Sequence, residues 1–112
     1  MNKILFALLF VSLPVFAASK SVISTSTTPT VINLNSPPTL TIEVTVGVGD
    51  TCLVEFSATP GSGTSGGNWQ PVSTLNLITA NATQSLYSQI QAIRITRTAG
   101  TNTCQMDLAG SF

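Results

Sequence analysis

The sequence predicts an all-β fold, a small antiparallel β-sandwich or barrel-like domain of six or seven strands with one disulfide, preceded by a signal peptide. Three observations predict it. Stretches of strict apolar–polar alternation recur along the chain, which is the period of a half-buried strand. Turn-forming residues separate them at the roughly 8–12-residue spacing of sandwiches and barrels. The two cysteines, Cys52 and Cys104, each fall on the inward face of such a stretch.

Met1-Asn2-Lys3 is a short positive start, and Ile4 to Leu13 is an apolar run broken by Pro14. That run is too short for the ~20 residues that cross a bilayer as a helix. Val15-Phe16-Ala17 then supplies residues suited to the −3 and −1 positions of a signal peptidase site, so residues 1–17 read as a secretory signal peptide cut after Ala17. Residues 18–38 are dense in Ser, Thr and Pro and read as an N-terminal arm with at most one strand, Val31 to Leu34, stopped by Asn35-Ser36-Pro37-Pro38. Such an arm either reaches onto a neighbour in an assembly or stays unstructured.

Residues 39–112 read as the sandwich domain. Leu40, Ile42, Val44 and Val46 alternate with Thr39, Thr41, Glu43 and Thr45, giving a strand with its aliphatics inward. Gly47-Val48-Gly49-Asp50 is a turn. Thr51 to Ser57 returns with Cys52, Val54 and Phe56 inward, and the two strands are expected to form a hairpin. The glycine-rich segment from Pro60 to Asn68 reads as a flexible loop. Trp69 to Val72 and Thr74 to Thr79 read as strand, with Pro71 forcing an edge or bulge position. After a turn at Ala80 to Thr83, Leu86 to Gln91 fits either a strand or a single helical turn. Ile93 to Thr96 and Thr103 to Leu108 are strands, the second with Cys104, Met106 and Leu108 inward.

Composition narrows the function classes. Charged residues make up 7% of the chain, and there is no histidine. Beyond the leader, three bases (Lys20, Arg94, Arg97) face four acids (Glu43, Asp50, Glu55, Asp107), alongside seventeen threonines and twelve serines. Nucleic acid and anionic lipid demand clustered bases, which this inventory cannot supply. Membrane contact is therefore expected only during export. A neutral, hydroxyl-rich surface gives little repulsion between copies and suits a protein that packs against itself.

The absence of histidine removes the usual base of a serine or cysteine hydrolase. Two cysteines in an exported chain read as a bond between them, since a zinc site would need further ligands. Glu43 and Glu55 are expected as outward cross-strand neighbours on the hairpin, solvated and not catalytic. Asp50 beside Gly49 reads as a turn former and not a calcium ligand. The reading is a non-enzyme without cofactor or metal. Trp69 and Tyr87 are the wide aromatics beyond the leader, and Trp69 reads either as a core anchor or as a stacking surface for sugars beside the loop. Arg94 and Arg97 lie three apart and face opposite sides of a strand, with one placed to pair with Asp107 or Glu55. The candidate contact residues are Trp69, Tyr87, Arg94 and Arg97. Asn81-Ala82-Thr83 matches a glycosylation sequon, which carries no meaning behind so bacterial-looking a leader.

The segment Asn68 to Leu108 runs Asn-Trp-Gln-Pro-Val, then Leu-Asn-Leu, then Ala-Ile-Arg-Ile-Thr-Arg-Thr-Ala-Gly-Thr-Asn-Thr-Cys-Gln-Met-Asp-Leu. It resembles the small β-sandwich structural proteins and domains of bacteriophage virions. The resemblance implies a repeated surface or spike component that assembles with copies of itself or with other virion proteins. The leader and the cysteine pair depart from most tailed-phage capsid proteins. They fit a virion that matures through the bacterial envelope, and equally a host protein of the periplasm or cell surface. The expected function is thus a structural assembly subunit, secreted or carried on a virion. The alternative is a secreted module that binds glycan or protein through the 60–69 loop and Trp69.

Overall fold

A computed structural model of the chain describes residues 18–34, 39–58, 68–87 and 90–110. The leader, the Asn35–Pro38 stop and nearly all of the glycine-rich loop lie outside the described residues. The alternating segments become strands with the expected faces. In β3 (Leu40–Val46), Leu40, Ile42 and Val44 are buried while Thr41, Glu43 and Thr45 are exposed. Cys52 and Val54 are buried in β4 (Thr51–Ser57), and Cys104, Met106 and Leu108 in β8 (Cys104–Gly110). The other strands are β1 (Ala18–Ser24), β2 (Thr30–Asn33), β5 (Gln70–Pro71), β6 (Ala82–Leu86) and β7 (Ala92–Ala99).

Among the described residues, eight strands form two four-stranded antiparallel sheets, ordered β1-β8-β3-β6 and β2-β7-β4-β5. Among the pairings, β1 meets β8, β2 meets β7, β3 meets β6 and β4 meets β5. The chain is therefore one long hairpin, doubled back between β4 and β5 and rolled so that its two arms supply both sheets. This is the double-sheet jelly roll. Ile32, Leu40, Ile42, Val54, Ile93, Ile95 and Met106 meet between the sheets to make the core.

Three expectations are corrected. The described part of the expected 18–38 arm, residues 18–34, is no arm outside the domain, because β1 pairs along β8 from Ala18↔Gly110 to Ser24↔Cys104 and β2 pairs with β7. Its Ser/Thr density hid β1, which lies at a sheet edge with Ser19, Lys20 and Ser21 exposed, whereas the expected strand at Val31 to Leu34 appears as β2. The described strands number eight, against the expected six or seven. Next, β3 and β4 are not a hairpin. The 47–50 turn carries the chain from one sheet to the other, so their apolar faces meet across the core instead of lying side by side.

The third correction concerns 74–79, where the expected strand is a 3₁₀ turn at Ser73–Leu75 followed by an isolated bridge from Ile78 to Cys52. Val72, Leu75 and Ile78 recur every third residue, the period at which 3₁₀ side chains eclipse. Val72 and Leu75 are buried and Ile78 half-buried, which fits that period. β6 also starts at Ala82, inside the expected 80–83 turn, and Leu86 closes it.

Candidate functional site

The cysteines are brought together as expected. Cys52 of one sheet and Cys104 of the other form a disulfide with Cα atoms 5.8 Å apart, and both are fully buried. The bond lies beside two laced turns. Asp50 donates its backbone N–H to Gly47 O (2.9 Å), and its Oδ1 accepts the N–H of Asn102 (3.1 Å). Asn102 donates its side-chain amide to Val48 O at 2.7 Å. Asp50 is 1% exposed. Its carboxylate fits there because Gly47 and Gly100 offer no Cβ: one at Gly47 would lie 2.5 Å from Oδ2, and one at Gly100 would overlap Oδ1. Asp50 is thus a turn residue, as read, but also a clasp between the β3–β4 and β7–β8 turns.

The candidate contact residues divide into separate places. Val31, Arg94, Glu55 and Pro71 form one continuous row across the outer face of the β2-β7-β4-β5 sheet. Arg94 Nε donates to Glu55 Oε1 at 2.9 Å, the pairing foreseen as one of two. Trp69, immediately before β5, lies with its ring centre 4.3 Å from the Arg94 guanidinium carbon, within cation–π range. Trp69 is half-buried, so it covers an ion pair on the outside of the sheet instead of anchoring the core. With the guanidinium against the indole and paired to Glu55, the pair's side chains are only 14% and 15% exposed.

Arg97 lies elsewhere. A register shift between Thr51 and Cys52 accompanies the β4–β7 pairing, and Arg97 stands opposite Cys52 at the end of the sandwich. It donates Nη1 to Asn102 O (2.6 Å) and its backbone N–H to Ser24 Oγ (3.1 Å), tying β1 to the Asp50 clasp. Tyr87, just beyond β6, is 78% exposed. Trp69 and Arg94 therefore share a site that neither Arg97 nor Tyr87 joins.

The outer face of the other sheet was not anticipated. Directly opposed residues share a face. Ser21, Asp107, Glu43 and Thr83 form one row across it, and Ser19, Ala109, Thr41 and Ser85 another. Thr41 and Ser85 hydroxyls join at 3.2 Å, and Gln105 Nε2 donates to both Asp107 oxygens at 3.2 and 3.3 Å. Glu43 thus neighbours Asp107 and not Glu55, because β3 and β4 belong to different sheets. Short hydroxyl side chains line much of this face. Its signal in the sequence is the threonine phase of β3 combined with Gln105 and Asp107 of β8. Among the described residues, no three His, Cys, Asp or Glu gather where they could hold a metal ion. Among them, too, no helix is long and apolar enough to cross a membrane.

Fold and surface together define a disulfide-closed jelly-roll domain with one hydroxyl-lined face and one Trp-capped ion pair. No known family matches the chain, and no curated protein does. Among solved structures it is similar to Bacillus endospore appendages, described as a family of disulfide-linked pili. That likeness has 15% identity over 87% of this chain and 89% of that one, with a TM-score of 0.46. It is also similar to RmlC from Streptococcus suis in complex with dTDP-D-xylose, at 11% identity over 100% of this chain and 55% of that one, TM-score 0.45. Both likenesses are too distant to carry an argument about function.

Proposed function

We propose that the chain is an exported, non-enzymatic structural subunit that packs with copies of itself. The observation that carries this reading is the Cys52–Cys104 bond across the two sheets. Such bonds persist in oxidising compartments, and this one fixes the sheets as a single block. That block presents an uncharged-to-acidic, hydroxyl-rich surface suited to contact. The jelly roll itself selects nothing, since capsid, lectin and enzyme domains share it. The leader over residues 1–17 belongs to this proposal, as does the finer form implied by the virion resemblance of Asn68–Leu108: a virion or surface-assembly component.

Light scattering on the oxidised mature protein, separated by size over a concentration series, tests the reading. Mass is expected to rise above that of one chain as concentration increases. A clean monomer at the highest attainable concentration would sink it.

A second reading has its own observation, the half-exposed indole of Trp69 on the outer face. A rigid aromatic above a fixed guanidinium is a stacking platform of the kind glycans use. Trp69→Ala should then abolish binding on a glycan array while export and the disulfide persist. An unchanged array profile would remove this alternative.

A further inference from the structure

Among the described residues the roll has four sheet edges, and three are blunted in ways that natural sheets use against unwanted pairing. β5 has two residues, one of them Pro71, which has no N–H to offer. β6 is approached by the 3₁₀ turn, where Thr74 gives both its backbone N–H and its hydroxyl to Gln84 Oε1. β2 is four residues long and follows directly on Pro29. The fourth edge is different. β1 runs seven residues, contains no proline, pairs with β8 without a register shift, and carries Lys20 as its one charge. Ser19, Lys20 and Ser21 are exposed, and Ile23 is 52% exposed on the outer face. A strand with one neighbour leaves about half of its backbone donors and acceptors without a ladder partner.

We propose that β1 is the self-association surface: its outer edge pairs antiparallel with β1 of a second copy, joining two four-stranded sheets into one of eight. The proposal rests on the assembly reading and names the surface it uses. A second copy is the occupant because each chain offers one long unblunted edge, so the match is with itself and closes about a twofold axis. Charge permits it. With the axis at Val22, Lys20 of one copy faces Ser24 of the other. The two ammonium groups then stand four residues apart along the ladder, roughly 13 Å at about 3.3 Å per residue, beyond the Debye length of about 8 Å at physiological salt. On the outer face, Ile23 of each copy lies opposite Ser21 of the other, and the two isoleucines are diagonal neighbours within reach of contact.

The test uses the full mature protein with its disulfide intact, by sedimentation equilibrium. The double variant Ser21→Lys/Ile23→Lys places like charges side by side at the axis. It should weaken self-association at least tenfold, with melting temperature and free-thiol count unchanged. A separate variant keeps the question answerable if the lysines impair folding: Ser21→Cys should give a covalent dimer with a short bis-maleimide, and Thr41→Cys on the same sheet face should not. Wild type that assembles, with lysine and cysteine variants indistinguishable from their controls, overturns the β1 proposal and leaves the assembly reading standing. Wild type that stays monomeric removes both.

Discussion

At the scale of single residues, two positions act in ways that their residue types alone do not reveal. Trp69 shields the Arg94–Glu55 pair from one side while sheet neighbours Val31 and Pro71 flank it. Trp69→Ala exposes that pair and removes a cation–π contact. It should cost about 1–2 kcal/mol, well below the roughly 3–5 kcal/mol of emptying a core tryptophan site. Urea unfolding followed by circular dichroism measures the difference, and a loss in the higher range would return Trp69 to the core. Gly100 is the second case. It has φ +97°, and a Cβ there would overlap the Asp50 carboxylate. Gly100→Ala therefore combines left-handed strain with displacement of a buried anion from the Asn102 N–H. A loss of about 2 kcal/mol or more follows from the hydrogen bond and the strain together. Gly49→Ala is the comparison: it shares a positive φ of 78° but meets nothing within 4 Å, so its loss should be smaller.

At the scale of elements, the disulfide and the two laced turns act at the same end of the roll. Cys52 sits between β7 and the Ile78 bridge, exchanging backbone hydrogen bonds with Ile78 at 2.9 and 2.8 Å. Cys104 is opposite Ser24 of β1 and Val46 of β3. The bond therefore fixes β8, the centre of one sheet, to β4, a central strand of the other. Closing a loop with a sequence separation of 52 should contribute about 4 kcal/mol in the chain-entropy model. The double variant Cys52→Ala/Cys104→Ala should lower unfolding free energy by about that amount, measured in urea at fixed protein concentration. An unchanged midpoint would mean that the Asp50 clasp and the core hold that end unaided.

At the scale of the whole molecule, β1 and β8 are the first and last of the described strands, and they lie side by side in one sheet. Ala18, the residue after the expected cleavage point, is already paired with Gly110. Sheet closure therefore waits for the far end of the chain, which also brings Cys104 to Cys52. The long-range pairings that make the roll are costly in loop entropy and slow to form. Refolding of the oxidised protein should consequently be much faster than refolding from the reduced state, because the disulfide keeps β4 and β8 together while unfolded. Stopped-flow fluorescence of Trp69 compares the two; equal rates would mean that β4–β8 contact does not limit folding.

Much of the fold was legible from residues, and the limit is specific. Leu40-Thr-Ile-Glu-Val and Cys104-Gln-Met-Asp-Leu declare strands and their inward faces, because side-chain direction in a strand depends only on position along it. The cysteines declared each other for the same reason, each being inward in its own segment. The scarcity of charge and the lack of histidine are likewise properties of the chain alone. Pairing is different. That β3 crosses to the other sheet, that Ser19-Lys-Ser-Val-Ile is a structural strand, and that Trp69 rests on Arg94 all depend on which distant segment supplies the neighbour. A one-dimensional pattern fixes which face is buried, but the hydrogen-bonding partner is chosen by how the whole roll closes over its core.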